Sequence, residues 1–501
     1  MHRALLLAAT AALAFAQPAM AQSNLRIGLA EDPDILDPTM ARTFVGRIVF
    51  AGLCDKLIDI DKDLKLVPQL ATEWSWSADN RQLTLKLRAG VTFHDGEKLD
   101  AEAAKFSIER HQTMQESMRK GEVNQVKSID IVDPMTIRLN LDQPFSPLIA
   151  QLTDRSGMMV SPKAAKAAGN QFGNRPVCAG PYQFVERVQQ DRIVLERYKD
   201  HWNKAAFAFD KVTYLPIVDN SVRLANVQSG QIDLAERIAA TDVETVKKDA
   251  KLNLLSVVGI GYNGITVNIG NTDRAKNPLG QDKRVRQALS LSIDRDAVNQ
   301  VVFNGNFTPG NQWVSPKSPW YAKGTPVPKR DVERAKALLK EAGVANPSFT
   351  LMTPNNNEAM QVSQVIQAMA KEAGFDVKIQ ATEFATSLKE STAGNFEAFN
   401  IGWSGRVDPD GNFFSFVACN APLNDGHYCN KDMDALLAKS RATNDLEQRM
   451  VVYEQIAKLE NDDLPNIYLY HNAWFWAAPK RLSGFNVVPD GMIRLAGMKL
   501  N

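Results

Sequence analysis

The sequence predicts an α/β protein of more than one lobe, on three observations. Short runs of strand periodicity separated by turns dominate the first 260 residues. From about residue 282, helical stretches with 3.6-residue spacing alternate with strands, the pattern of a separate α/β unit. The last stretch, IYLYHNAWFWAAPKRLSGF (467–485), returns to strand character. The simplest arrangement is a first lobe from the N-terminal half, a second near 268–470, and a tail rejoining the first. A chain of 501 residues is long enough for two or more such cores.

In chain order, the opening MHRALLLAATAALAFAQPAMAQS places Arg3 before an apolar run from Ala4 to Ala16, with Ala19-Met20-Ala21 as a small-x-small cleavage pattern. This reads as a signal peptide over 1–21, cut after Ala21. The run is shorter than the roughly 20 residues a membrane span needs, and nothing later is long and apolar enough. A soluble protein exported to the periplasm is expected. NLRIGLA (24–30) is the first strand, followed by RQLTLKLRAG (81–90), MTIRLNLD (135–142) and DRIVLERY (191–198). AEAAKFSIERHQTM (101–114) and NSVRLANVQSG (220–230) read as helices, the second stopping at Gly230. In the second half KRVRQALSLSIDRDAVNQVVF (283–303), RDVERAKALLKEAG (330–343), EAMQVSQVIQAMAKEAG (358–374) and LEQRMVVYEQIAKLEND (446–462) are helical. SFTLMT (348–353), FDVKIQAT (375–382) and AFNIGW (398–403) are the strands between them.

Charge excludes one class of partner. The 58 lysines and arginines, one of them Arg3 in the leader, face 57 acidic residues, so the mature chain carries no formal net charge. With no block of like charge, neither nucleic acid nor an anionic membrane is implied. Four cysteines in an exported chain favour disulfides. Cys419 and Cys429 bracket a short loop and are expected to pair, which leaves Cys54 with Cys178 as a long-range staple. Zinc held with His427 is the rival reading, but no C-x-x-C pair accompanies it.

Catalytic patterns are absent or broken. Gly402-Trp403-Ser404-Gly405 is one residue short of a nucleophile elbow. Ser117-Met118-Arg119-Lys120 matches S-x-x-K without the motifs that give it meaning. His94 and Asp95 in FHDG point to opposite faces if the segment is a strand, and Asp95-Gly96 reads as a turn. Asp408, Asp410 and Asn412 are spaced like a calcium loop, but Gly411 stands fourth rather than sixth and Pro409 intervenes. No paired histidines point to a metal. Neither an enzyme nor a cofactor is expected.

Five ordered blocks resemble the peptide/nickel class, family 5, of extracellular solute-binding proteins that feed ABC importers. EDPDILDP (31–38) resembles the opening after that family's first strand. CDKLIDIDKDLKLVPQLATEWSWSADNRQLTLKLRAGVTFHDGEKLDAE (54–102) is similar to its most recognisable block. CAGPYQF (178–184) stands where the family has G-T-G-P-Y-x-F, with cysteine and alanine replacing the first two residues. VRLANVQSGQIDLAE (222–236) and DKRVRQALSLSIDRDAV (282–298) match two further signatures. The resemblance covers nearly the whole mature chain. It implies a periplasmic-binding-protein clamshell of type II, cluster C, whose two lobes enclose a ligand and whose closed form is offered to an inner-membrane ABC permease. Lobe I is expected at 22–267 plus 475–501 with an extra subdomain at about 71–174, and lobe II at 268–474. The crossings are expected near Tyr262–Asn268 and Tyr470–Trp474, and the protein is expected to act as a monomer.

The same resemblance singles out GWSGRVDPDGN (402–412), which follows a second-lobe strand and faces the cleft in the family. Dipeptide and oligopeptide binders carry an aspartate three residues after the tryptophan, for the peptide's ammonium group. Here Arg406 stands there, a cation suited to a carboxylate or phosphate. Alternatively Arg406 pairs with Asp408 or Asp410 and fixes the loop. Where dipeptide binders place an arginine after LMTP, this chain has Asn355-Asn356-Asn357-Glu358. The expected ligand residues are therefore Trp403 for stacking, Arg406 for an anion and Asp408 for an amine or for Arg406. Tyr262, Asn263, Trp474, Trp313, Asn357, Thr43 and Phe44 complete the set. A peptide or peptide-like ligand is expected, with a non-peptide anion as the alternative.

Overall fold

The computed structural model describes residues 23–443 and 445–501, so the expected leader lies outside the described residues. Strand Asn24–Leu29 buries Leu25, Ile27 and Leu29, the alternate positions of its period-2 pattern. It runs parallel to Lys211–Pro216 on one side and Leu234–Ala235 on the other. Arg192–Arg197 and Tyr182–Val188 extend the sheet at one edge, and Ala473–Pro479 and Leu252–Val258 at the other, giving seven strands. Strand Ala473–Pro479, late in the chain, is thus built into the sheet that Asn24–Leu29 begins.

A second sheet holds six strands in the order Thr308–Pro309, Asn466–His471, Tyr262–Val267, Ala398–Trp403, Ser348–Pro354 and Asp376–Thr382. Helix Asn357–Glu372 connects two parallel strands of this sheet, Ser348–Pro354 and Asp376–Thr382. The strand and helix alternation read from the sequence therefore becomes parallel pairing covered by helices. A third, four-stranded antiparallel sheet contains Ala71–Trp76, Gln82–Leu87, Thr136–Leu141 and Val126–Asp133. Its core of Leu83, Leu85, Ile137 and Leu139 extends to Leu57 and Ala179, beyond the 71–174 expected for the subdomain.

The chain passes from the seven-stranded to the six-stranded sheet between Val258 and Tyr262, and back between His471 and Ala473. The first passage thus lies a few residues before the expected Tyr262–Asn268, and the second falls within the expected Tyr470–Trp474. Tyr262–Val267 pairs within the second sheet, and Trp474 lies in the first. The crossings are short and tied together: the His471 ring nitrogen Nδ1 lies 2.8 Å from the Gly261 carbonyl oxygen. Burial holds this imidazole's pKa down to about 4, so it is neutral and Nδ1–H donates to the carbonyl. Two disulfides, Cys54–Cys178 and Cys419–Cys429, pair as expected, which leaves no thiolate for a zinc site.

Candidate functional site

A cavity of about 1360 Å³, its open mouth included, lies where the two sheets face each other beside the crossings. Its first-lobe wall is built at the N-terminus of helix Phe44–Leu53. Thr43 caps that helix, its Oγ1 accepting from the Gly46 amide at 3.3 Å while donating to Asp34 Oδ1 at 2.8 Å. This fixes Phe44, whose ring stacks on Trp474 at 4.6 Å with only 9° between the planes. Trp474 is held in turn by Nε1–H donating to the Pro489 carbonyl at 3.1 Å.

Strand Ala398–Trp403 forms the opposite wall. It pairs along its length with Tyr262–Val267, but its pairing to Ser348–Pro354 ends at Phe399. Asn400, Ile401, Gly402 and Trp403 therefore line the cavity along an edge with no strand partner among the described residues. Gly402 allows the Asn263 side chain to fold against the strand, since a Cβ there would meet Asn263 Oδ1 at 2.2 Å. Trp403 donates through Nε1 to Gly411 O and Asn412 Oδ1, both at 3.1 Å. The Arg406 guanidinium sits 4.2 Å from the centre of its ring.

Of the residues expected to bind ligand, Trp403, Tyr262, Asn263, Trp474, Thr43 and Phe44 line this cavity. Four do not, and each has a physical reason. Arg406 is buried and turned to the other lobe, where its Nε lies 2.5 Å from Asp154 Oδ2. It pairs with neither aspartate of its own loop. Asp408 instead receives both Arg449 terminal nitrogens at 2.6 and 2.7 Å, and Asp410 holds Arg441 at 2.7 and 2.9 Å. Asn412 clamps the loop, accepting from the Arg406 amide at 2.5 Å and donating to the Arg406 carbonyl at 3.1 Å. Trp313 is 1% exposed and stacked on Phe413 at 4.1 Å, a core residue. Asn357 contributes no atom to the cavity, although its neighbours Asn356 and Glu358 do.

Sequence reasoning missed the charged residues of the walls. Arg237 and Glu31 form an ion pair at 2.8 Å in the first lobe, and both line the cavity. Glu31 Oε2 is buried and accepts no hydrogen bond. Arg237 lies beneath the aromatic stack, its guanidinium 5.0 Å from the Phe44 ring centre. Burial would lower its pKa, but Glu31 and Glu236 more than offset this and raise it. Glu358 faces them from the second lobe, its carboxyl pushed up by burial despite Arg223 and Arg237. Two signals were available: Glu31 opens EDPDILDP, and Arg237 directly follows VRLANVQSGQIDLAE. Arg237 also holds φ at +47°, a left-handed backbone uncommon for a long side chain and frequent at binding sites.

The lobes are closed on one another. Besides Arg406–Asp154, Arg47 Nη1 of the first lobe donates to Ser404 Oγ of the second at 3.0 Å. Arg42 meets Asp425 across the seam at 3.2 Å. Ser404, His94 and Asp95, weighed for catalysis, make hydrogen bonds within the fold. Ser404 is Arg47's acceptor, and His94 packs with Nε2 3.0 Å from the Gly180 carbonyl, burial holding its pKa down to about 4. Asp95 accepts from Ser161 Oγ at 2.6 Å, and Gly96 turns the chain with φ +82°.

Comparison with known proteins gives consistent results. The sequence profile of bacterial extracellular solute-binding proteins, family 5 (middle), matches residues 65–424. The chain is 30% identical to the glutathione-binding protein GsiB of Pectobacterium atrosepticum over 504 residues, covering 98% of this chain and 96% of that one. It is 28% identical to GsiB of Salmonella typhimurium over 486 residues, 94% of each. Among solved structures, the periplasmic binding protein AgaA of A. tumefaciens R10, in complex with agropinic acid, has a TM-score of 0.86 at 23% identity. That match covers 95% of this chain and 99% of AgaA. DppA of Helicobacter pylori, an ABC transporter-associated periplasmic binding protein in complex with the peptide STSA, gives 0.86 at 24% identity over 96% and 98% of the two chains. The shared fold is the α/β two-lobe clamshell.

Proposed function

The chain belongs to the family 5 bacterial extracellular solute-binding proteins, and from that premise we propose that it encloses a short peptide or peptide-like solute between its lobes in the periplasm and presents the closed complex to an ABC permease. The observation that carries this reading is the free edge of Asn400–Trp403 inside the interlobe cavity. An extended peptide satisfies its own amides and carbonyls against such an edge, as a strand added to a sheet. The aromatic pair Phe44–Trp474 on the facing wall supplies apolar area, and enclosure between lobes removes most of the ligand's surface from water. The named ligand of the relatives, glutathione, has this chemistry: two amide bonds, one ammonium group and two carboxylates. The protein acts as a monomer and binds without transforming its ligand.

The amine receptor in this reading is Glu31, which lines the cavity beside Arg237, whereas Asp408 lies outside it and is bound by Arg449. Its free Oε2 is buried in the cavity wall, and an unpaired carboxylate oxygen there gains most from an ammonium group. The non-peptide anion loses its main support with Arg406, which is bound to Asp154. Isothermal titration with glutathione, dipeptides, tripeptides and their N-acetylated forms tests the assignment. Glu31→Gln is expected to weaken free-amine peptides at least 10-fold, about 1.4 kcal/mol, and to leave N-acetylated ones within about 3-fold. Equal losses for both would remove Glu31 from the amine site. Saturable binding of non-peptide anions with no peptide binding would overturn the ligand class.

A further inference from the structure

Four arginines meet at the lobe seam around too few acids. Arg47, Arg119 and Arg155 come from the first lobe and Arg406 from the second. None is more than 7% exposed. Asp154 contacts three of them: Arg406 Nε at 2.5 Å, Arg47 Nε at 3.0 Å and Arg155 Nε at 4.0 Å. Glu122 contacts the fourth, Arg119 Nη1, at 2.5 Å. Four positive charges thus share two negative ones within a buried region. Buried arginines are ordinarily paired, because the cost of taking an uncompensated charge from water is several kcal/mol.

The donors report the same imbalance. Arg119 Nε, Arg155 Nε and Nη2, and Arg406 Nη2 are all buried and make no hydrogen bond. Every one of these guanidinium groups acts on the carboxyl of Asp154 or on another member of the set. Burial, with Arg119 beside it, pulls the Arg155 pKa down to about 9. Arg406 is also lowered, by burial first and then by Arg47 and Arg155. Such orphaned donors and displaced titration are the marks of a site built for a negative charge.

We propose that this cluster is a binding site for one compact inorganic monoanion of chloride size, lodged between the lobes and required for full closure. Only Arg119 of the four contributes to the cavity wall. The site therefore adjoins the ligand cavity through Arg119 and otherwise lies behind its wall. Closing brings Arg406 to the first-lobe arginines, and the ion offsets the repulsion that this step creates. The site depends on the lobes meeting and not on which solute the cavity takes.

The test uses purified mature protein at constant ionic strength, with chloride replaced by gluconate, a counter-ion too large for the seam. Chloride is expected to raise the thermal midpoint by roughly 2 °C. Arg406→Gln, which removes one of the excess charges, is expected to halve that shift. Diffraction from crystals grown in bromide is expected to place an anomalous peak among Arg119, Arg155 and Arg406, and this measurement stands even if the variant fails to fold. An equal chloride shift in both proteins, or a peak elsewhere, overturns the proposal. So does chloride weakening a carboxylate-bearing ligand while leaving its amide unaffected, which would make the cluster a ligand subsite. Failure of all peptides to bind would leave the chloride response intact.

Discussion

Asp154→Asn is expected to weaken ligand binding about 100-fold while leaving the shape of the seam unchanged. The carboxylate of Asp154 is 4% exposed and lies between Arg406 of the second lobe and Arg47 of the first. Asparagine keeps the volume and removes the charge. With the lobes apart Arg406 has no first-lobe arginine beside it, so the substitution acts mainly on the closed form. In the closed form it meets Arg47 and Arg155 with no counter-charge between them. Removing one partner of a buried pair costs about 3–5 kcal/mol, and the lower figure is about 100-fold in affinity. Titration calorimetry measures the loss, and small-angle scattering shows whether ligand still compacts the molecule. Binding within threefold of the parent protein would mean that the seam pair does not drive closure.

The pH dependence of this contact has a definite sign. Burial alone would raise the Asp154 pKa, but Arg406, Arg47 and Arg155 hold it well below its usual 3.8. A carboxyl depressed in the folded state stabilises above its unfolded pKa, and that stability is lost as pH falls through the folded value. Closure driven by Asp154 is therefore constant between pH 5 and 8 and weakens only below about pH 4.

Much of the fold was legible because its signals are local. Strand Asn24–Leu29 announces itself by alternation, helix Ala101–Thr113 stands where AEAAKFSIERHQTM reads as helical, and the two disulfides follow from loop length and elimination. The crossing was placed several residues late because GYNGITVN (261–268) reads as one strand whichever sheet receives it. Sheet membership is decided by the partner strand, not by the segment. The site divides in the same way. Aromatic residues next to the crossings, Trp474 and Tyr262, could be found from their position. The charges could not. Arg406 stands three residues after a tryptophan, and locally it reads as a ligand group. Its partner Asp154 is remote in the chain and belongs to the other lobe. Conversely, Glu31 opens one quoted block and Arg237 directly follows another, but they become a pair only when strands Asn24–Leu29 and Leu234–Ala235 run side by side.

The loop that carries Arg406 is also predicted to be mechanically joined to the crossing, and Gly405→Ala tests this. Gly405 holds φ at +88°, and a Cβ there would lie 2.5 Å from the backbone C and O of Ile260 and 2.6 Å from the amide N of Gly261. Those atoms form the crossing itself. The contact is reciprocal, since a Cβ on Gly261 would lie 2.1 Å from the Trp403 carbonyl oxygen. Neither neighbour is a flexible side chain, so backbone has to move. The strained dihedral alone costs about 1 kcal/mol, and the displaced crossing is expected to bring the total to roughly 3 kcal/mol. Gly90→Ala separates the two terms. Its φ is +76° and nothing lies within 4 Å of its Cβ direction, so it incurs the dihedral cost alone. Denaturant unfolding of both variants should therefore differ by about 2 kcal/mol, and only Gly405→Ala should also lose ligand affinity. Equal costs with unchanged affinity would show that the crossing yields freely to the loop. A larger cost confined to Gly405 would mean that the arginine loop and the crossing move as one body, so that the same segment that seals the seam with Asp154 also sets the angle at which the lobes meet.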